Sequence, residues 1–214
     1  MKSRILCVGL LPLLGCSGIY YKAMEKMGHQ KRHILASRIK DGQASQEEAK
    51  KQFQTTLERF KTLTSFDGGD LEKKYYELKG QLEKSEGRAA SVTSKVKGIE
   101  KVAVDMFKEW QDEMGKIADP KLRESDQKLL TQTQDRYSRL HDAFKSAETK
   151  MEPVLVKFRD QVTYLKHHLN ASAIASLQGQ LTEIESSVGG LIQDMEKSIS
   201  EASEFTRSLE GEQG

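Results

Sequence analysis

The sequence predicts an all-α protein, an elongated antiparallel coiled-coil bundle of about four long helices. Charged residues make up 31% of the chain, aromatic residues make up 7%, and there are only three prolines. This profile suits long helices and suits neither a β-sandwich nor an α/β enzyme. Apolar residues also recur at alternating steps of three and four over residues 23–209, which is the spacing of a heptad. Turn signals divide this pattern into segments of about 45 residues, each of which would form a helix roughly 70 Å long.

The first fifteen residues have the layout of an export signal. Lys2 and Arg4 precede a mostly apolar run over residues 5–14. The run is shorter than the roughly 20 residues that span a bilayer, and it fits the hydrophobic region of a signal peptide. It ends in Leu13-Leu14-Gly15-Cys16, which resembles the lipobox of bacterial lipoproteins. The resemblance implies cleavage before the cysteine and lipidation of its thiol. The alternative is a generic signal that ends in a chance cysteine.

Lipid on Cys16 would tether the protein to a membrane. Residues 16–22 would form the lipidated N-terminus and a short tether, 23–209 the helical coiled-coil domain, and 210–214 a disordered tail. Lipoproteins with Asp after the lipidated cysteine tend to stay in the inner membrane. By that resemblance Ser17 favours the outer membrane of the bacterial cell envelope, facing the periplasm. The mature chain would keep one cysteine, so no intramolecular disulfide is expected.

Charge argues against nucleic acid as a partner. The chain has 34 basic and 32 acidic residues, and two of the basic residues lie in the predicted signal. The mature protein is therefore formally neutral, whereas a nucleic-acid binder carries an excess of positive charge.

Two segments carry nearly unbroken heptads. A period of 3.5 residues is shorter than the helical 3.6, so such a seam faces its partner only if the helices supercoil left-handedly. The first seam is Leu71, Tyr75, Leu78, Leu82, Ser85, Ala89, Val92, Val96, Ile99, Ala103, Met106 and Trp110. The second is Ile174, Leu177, Leu181, Ile184, Val188, Leu191, Met195, Ser198, Ala202, Phe205 and Leu209.

Two further segments have more polar interruptions, and we expect them to pack less tightly. One is Leu35, Ile39, Gly42, Gln46, Ala49, Phe53, Thr56, Phe60 and Leu63. The other is Leu122, Asp126, Leu129, Thr133, Arg136, Leu140, Phe144, Ala147, Met151, Val154 and Phe158. Pro153 predicts a kink in this helix.

The breaks between helices are marked by turn and cap residues. Gly68 and Gly69 tolerate positive φ, and Asp70 can cap the helix that follows. Asp119 precedes Pro120, the usual arrangement at a helix start. The third break, near residues 170–172, contains no glycine or proline, so a continuous third and fourth helix stays an alternative.

Net charge alternates in sign along the chain. It is +5 for 16–66, −2 for 67–119, +3 for 120–169 and −6 for 170–214. Short connections favour antiparallel neighbours, and this alternation gives each helix an oppositely charged neighbour in the sequence.

Two polar clusters are candidate sites. Glu25, His29 and His33 are spaced four apart on one helix face and could hold zinc. The alternative is a solvated polar stripe, because no further His or Cys lies nearby. A second cluster, predicted to form a polar core network that fixes helix register, contains Arg159, Asp160, Lys166 and His167. Of the adjacent His167 and His168 we expect one to be buried.

Several segments resemble a bacterial family catalogued as domain of unknown function 2959. They are YKAMEKMG at 21–28 with KR at 31–32, FDGGDLE at 66–72, MEPVL at 151–155, FRDQV at 158–162, LKH at 165–167, LNA at 169–171 and AIASLQ at 173–178. The resemblance implies an all-helical envelope protein and brings no activity, ligand or catalytic residue.

The sequence contains no phosphate-binding glycine loop, nucleophile elbow or Cys-x-x-Cys motif, and it implies no cofactor. We therefore expect a non-enzymatic, lipid-tethered scaffold that contacts another envelope protein or itself. One alternative is a helical module that binds a lipid surface or serves a stress response. Another is a metal-binding protein that uses the Glu25, His29 and His33 stripe.

Overall fold

The computed structural model describes residues 31–65, 68 and 70–211. This part of the chain forms four α-helices and no β-strand: α1 (Lys31–Thr64), α2 (Leu71–Met114), α3 (Pro120–His167) and α4 (Ala171–Gly211). The prediction of an all-α bundle of four long helices is confirmed.

The helices form an up-down-up-down bundle. α1 and α3 each pack against both α2 and α4. At every interface, residue numbers rise along one helix as they fall along the other, so all neighbouring helices are antiparallel. The following pairs show this: Lys31 with Glu109 and Glu48 with Arg88; Glu100 with His141 and Glu86 with Arg159; Lys150 with Asp194 and Lys157 with Glu183; Lys40 with Glu210 and Lys61 with Glu185.

This topology gives the bundle two different ends. At one end, which we call the loop end, lie the α1–α2 and α3–α4 connections. At the other, the terminal end, lie the start of α1 at Lys31, the α2–α3 turn at residues 115–119 and the end of α4 at Gly211.

The predicted seams of α1, α2 and α4 form the core. In α2 and α4 every position is buried except Leu71, Trp110 and Leu181, which are partly buried and pack against the core. All nine predicted positions of α1 are buried, including Gln46 and Thr56. The α1 seam is therefore as fully buried as the seams of α2 and α4, in spite of its polar interruptions.

Polar side chains form small layers within this core. Thr56 and Ser85 pair at 2.9 Å between α1 and α2. Ser198 donates to Gln46 Oε1 across the α1–α4 interface, and its hydroxyl also lies 2.9 Å from the Met195 carbonyl oxygen. Gln46 Nε2 is buried and has no partner within the described part of the chain. Such layers favour one register over others.

Aromatic rings fill the centre of the bundle. Phe158 of α3 stacks on Phe60 of α1, with centroids 4.9 Å apart and ring planes 13° apart, and lies 6.3 Å from Phe53. Elsewhere on α1, a Cβ on Gly42 would lie 2.7 Å from Ile99 Cδ1 and 3.6 Å from Phe144 Cζ. The missing side chain of Gly42 therefore makes room for these two core residues.

The seam of α3 is buried only in part. From Leu140 to Phe158 the predicted positions are buried. Nearer the helix start, Leu122 is 62% exposed, and Leu130 rather than Leu129 is fully buried. The reason is the length of the neighbouring helix: Tyr137 contacts Phe205, six residues before α4 ends, so α4 stops opposite about residue 131.

The predicted caps at the first two breaks are confirmed. Asp70 Oδ1 accepts a hydrogen bond from the Lys73 amide at 2.9 Å, and Gly68 has a φ of +154°. Asp119 Oδ1 accepts from the amides of residues 121 and 122 at 2.8 and 3.2 Å, with Pro120 as the first helical residue. Gly69 lies outside the described residues.

The third break separates two helices. α3 ends at His167, and Asn170 Oδ1 accepts from the Ala173 amide at 3.1 Å, so Asn170 caps α4. α3 itself continues through Pro153 as one helix. At the C-terminus, α4 extends to Gly211, two residues past the predicted domain boundary at 209, and Glu210 in this last turn pairs with Lys40.

The alternation of charge appears in the ion pairs. Several ion pairs join α4 to its neighbours, and α4 supplies the carboxylate in each of the following: Lys40–Glu210, Lys50–Glu196, Lys61–Glu185, Lys150–Asp194 and Lys157–Glu183. The acidic α4 thus lies between the two basic helices. Because most of these side chains are exposed, the pairs select neighbours more than they add stability.

Candidate functional site

The start of α1 is held firmly at the terminal end. Lys31 Nζ lies 2.9 Å from Glu109 Oε2 of α2. The Arg32 guanidinium lies over the Trp110 ring, 5.3 Å from its centroid, as a cation–π contact. Trp110 Nε1 donates to both carboxylate oxygens of Asp126 on α3, at 3.0 and 3.1 Å. Trp110 therefore connects three helices at this end.

Beyond Trp110 the α2–α3 hairpin continues as a protruding tip, which we define as residues 111–130. Since α4 stops opposite about residue 131, α3 extends roughly 18 Å past it at 1.5 Å per residue. The turn is braced from both sides. Asp119 caps α3, and Arg123 donates from Nε and Nη2 to the Ile117 carbonyl oxygen at 3.0 and 2.5 Å.

The surface of the hairpin tip combines apolar and basic side chains. Leu122 is 62% exposed and Ile117 is half-buried. Lys116, Lys121 and Arg123 are exposed around them. The tip is thus a braced turn that presents a large apolar side chain among three cations.

A mixed aromatic and charged cluster lies just behind the tip. Tyr137 contacts Phe107 at 5.5 Å and Phe205 at 6.0 Å between ring centroids. His141 Nε2 lies 3.0 Å from Glu100 Oε1. Burial, with a smaller contribution from the Glu100 charge, raises the pKa of Tyr137 above its ordinary value. The phenol therefore stays protonated at neutral pH, and the cluster is a packing element between α2, α3 and α4.

An open groove of about 570 Å³ runs between α2 and α3 on the side of the bundle. Ala89, Met151 and Leu155 form part of its lining. At its edge, Arg159 donates to Glu86 at 2.8 Å and to Glu152 at 3.3 Å, and the Glu86 contact is the main cause that raises the arginine pKa. The carboxylates of Glu86 and Glu152 are therefore neutralised by ion pairing with Arg159.

The predicted polar core network is wrong. Arg159, Asp160, Lys166 and His167 are all exposed. The heptad places Phe158, Val162 and Leu165 toward the core, so the polar residues beside them point outward. Arg159 still joins α3 to α2 through Glu86, but it does so at the surface.

The expectation that one of the two adjacent histidines is buried is also wrong. His167 and His168 are both exposed at the loop end. His168 packs instead on the exposed ring of Tyr164, with centroids 4.7 Å apart.

Three other predicted site residues, Cys16, Glu25 and His29, lie outside the described residues. His33 lies on α1 and is exposed. Within the range that the structure describes, no three His, Cys, Asp or Glu side chains are placed to hold a metal ion. Lipidation and metal binding stay predictions.

The contact between Trp110 and Asp126 was missed in the sequence. A signal for it exists, because the two residues are equally distant from residue 118, where the predicted turn lies. Antiparallel helices joined by that turn bring such pairs together.

Among the described residues, 31–65, 68 and 70–211, no helix is both long and apolar enough to cross a membrane.

These features define a four-helix, up-down-up-down coiled-coil protein with a protruding hairpin tip. The chain matches the family model described as a protein of unknown function, DUF2959, over residues 20–209. It therefore belongs to the DUF2959 family. Comparisons with curated proteins and with solved structures found no match.

Proposed function

We propose that the protein is a non-enzymatic scaffold lipoprotein of the bacterial cell envelope, tethered by lipid on Cys16. The observation that carries the proposal is the signal that ends in Leu13-Leu14-Gly15-Cys16. Ser17 favours the outer membrane, with the bundle in the periplasm. The partner is another envelope protein or a second copy of the chain.

The shape of the bundle supports a spacer role. The longest helix, α3, has 48 residues and is about 72 Å long. The described chain begins at Lys31 at the terminal end, so with a lipid on Cys16 the loop end is the part that can reach farthest from the membrane. Tyr76 of α2 and Leu169 lie at the loop end, at about the same height along the bundle, because each is ten residues from the Glu86–Arg159 pair that joins α2 and α3. Their side chains are 59% and 41% exposed. Such side chains suit protein contacts.

The test is a pair of cysteine variants compared by membrane fractionation. Cys16→Ala should move the protein out of the membrane fraction, because the lipid-bearing thiol is gone. Cys7→Ala, which changes a cysteine inside the predicted signal, should leave it there. A Cys16→Ala protein that still fractionates with membranes would show that the anchoring proposal is wrong. If the protein is anchored through Cys16, in-cell crosslinking with mass spectrometry identifies its partner.

A second candidate is a helical module that lies along a lipid surface. The net charge of +5 on residues 16–66 favours it. However, Lys40, Lys50 and Lys61 on α1 pair with carboxylates of α4, which leaves less positive charge for lipid. Strong binding of unlipidated protein to anionic liposomes, weakened by salt, would support this candidate, since a scaffold without its lipid should bind them at most marginally.

The third candidate, a metal-binding protein that uses Glu25, His29 and His33, is tested by metal analysis of the purified protein. Absence of stoichiometric zinc would exclude it.

A further inference from the structure

The hairpin tip is the outermost described part of the terminal end. The described part of α1 begins level with Glu109, and α4 stops opposite about residue 131. The turn at 115–119 therefore lies about 9 Å beyond the level of Lys31 and roughly 18 Å beyond the end of α4.

The side chains at this turn suit a lipid surface. Leu122 is exposed in the first turn of α3, with Lys116, Lys121 and Arg123 beside it. Asp119, which lies between these cations in the sequence, caps the helix through the amides of α3. A leucine surrounded by cations can enter the boundary between headgroups and acyl chains while the cations meet anionic headgroups.

Acidic residues flank this surface on both helices. Asp112, Glu113 and Glu124 lie on the helices behind the turn and are exposed. Asp126 accepts the Trp110 hydrogen bonds. Residues 115–123 carry a formal net charge of +2, whereas the whole tip carries −1, so the excess of positive charge is confined to the turn.

The chain that leads to Cys16 joins the described part of α1 at this same end. Fourteen residues, 17–30, lie between the cysteine and Lys31, and a stretch of that length can span at most about 50 Å. If Cys16 carries lipid, as the proposed function requires, the terminal end lies near the membrane, and the hairpin tip is the most advanced described part of that end.

We propose that the hairpin tip is a second membrane contact, in which Leu122 inserts into the lipid surface and Lys116, Lys121 and Arg123 bind anionic headgroups. This inference rests on the proposed function. The contact depends on the tether, because one leucine and three cations bind a membrane only marginally by themselves. The lipid anchor raises the effective concentration of the tip at the surface. The bundle then stands upright, with its loop end directed away from the membrane.

The experiment uses full-length, lipidated protein in vesicles of phosphatidylethanolamine with phosphatidylglycerol. Leu122→Cys is labelled with an environment-sensitive fluorophore, and Leu169→Cys, an exposed leucine at the loop end, is the matched control. Alkylation of Cys16 leaves the introduced thiol as the labelling site. We expect a blue shift and quenching by a lipid-borne quencher at position 122 and neither at position 169. Phosphatidylcholine vesicles should weaken the effect.

Each other outcome overturns a defined part of the proposal. If the protein co-floats with vesicles but position 122 is not quenched, the tip contact is refuted while anchoring stands. If both positions are quenched, the bundle lies flat, which refutes the upright arrangement and favours the surface-binding module. If mass spectrometry finds no lipid on Cys16 and the protein does not co-float, the proposed function fails, and the tip contact fails with it.

Discussion

Replacement of Phe158 by Ala tests whether the aromatic centre of the core holds the bundle together. The ring is fully buried on α3 and stacks on Phe60 and Phe53 of α1, which lies across the bundle. Because α2 and α4 each pack against both α1 and α3, the backbones of α1 and α3 cannot move together to fill the cavity left by the ring. Such a movement would disturb all four interfaces between neighbouring helices. The variant should therefore keep most of the cavity.

The expected magnitude follows from the contacts that are lost. A buried Phe→Ala change costs about 3–5 kcal/mol, and the stacked pairs are worth about 0.5–1.5 kcal/mol beyond their buried area. The higher helix propensity of Ala returns roughly 0.5 kcal/mol. We expect the free energy of unfolding to fall by about 4 kcal/mol. Urea unfolding followed by far-ultraviolet circular dichroism measures this fall as a lower midpoint at unchanged slope.

Tyr164→Ala is the matched control. It removes an aromatic ring from the same helix, but this ring is exposed and should cost less than about 1 kcal/mol. A loss at Phe158 no larger than the loss at Tyr164 would refute the reasoning. A double-mutant cycle with Phe60→Ala should give a coupling of about 1 kcal/mol, because the two rings contact each other directly.

Two further predictions concern polar groups in the interfaces. Gln46→Met should stabilise the protein by about 1 kcal/mol, since relief of an unpaired buried amide outweighs one lost hydrogen bond. The stabilisation should appear as a higher urea midpoint of unfolding for Gln46→Met, and a lower midpoint would contradict the prediction. Ser198→Ala, which should lower the midpoint, is the control. Asp194 accepts from Ser146 Oγ at 2.5 Å and Lys150 Nζ at 2.9 Å. Burial alone would raise the pKa of Asp194, but these contacts outweigh it and lower the pKa below its ordinary 3.8. The unfolded chain therefore binds the proton first, and the stability that Asp194 adds is present at neutral pH and lost as pH falls below about 4. Asp194→Asn should cost about 1 kcal/mol at neutral pH and little in acid; an equal cost at both would contradict the assignment.

Much of the fold could be predicted from local patterns. The α1, α2 and α4 seams, the caps at Asp70 and Asp119 and the antiparallel order all follow from heptad spacing, turn chemistry and alternating charge. These features can be predicted from the sequence because each depends on residues within a few helical turns of one another.

The candidate surfaces depended on information that periodicity lacks. The heptad places Leu122 on the inward face, yet it is exposed because α4 ends opposite about residue 131. The cluster around Arg159 looked buried, but its helix turns Phe158 inward and the charges outward. The heptad repeat defines which face of a helix is apolar, but it does not define how far the neighbouring helix extends along that face.

The sequence by itself therefore determined the helical class, the seams and the turns, and it predicts an export signal that ends at Cys16. Only the tertiary structure decided the register between helices and, with it, which residues meet at the terminal end. Register depends on pairs far apart in the chain, such as Trp110 with Asp126 and Lys40 with Glu210. Their combined geometry leaves the hairpin tip protruding, and that protrusion underlies the second membrane contact that we propose.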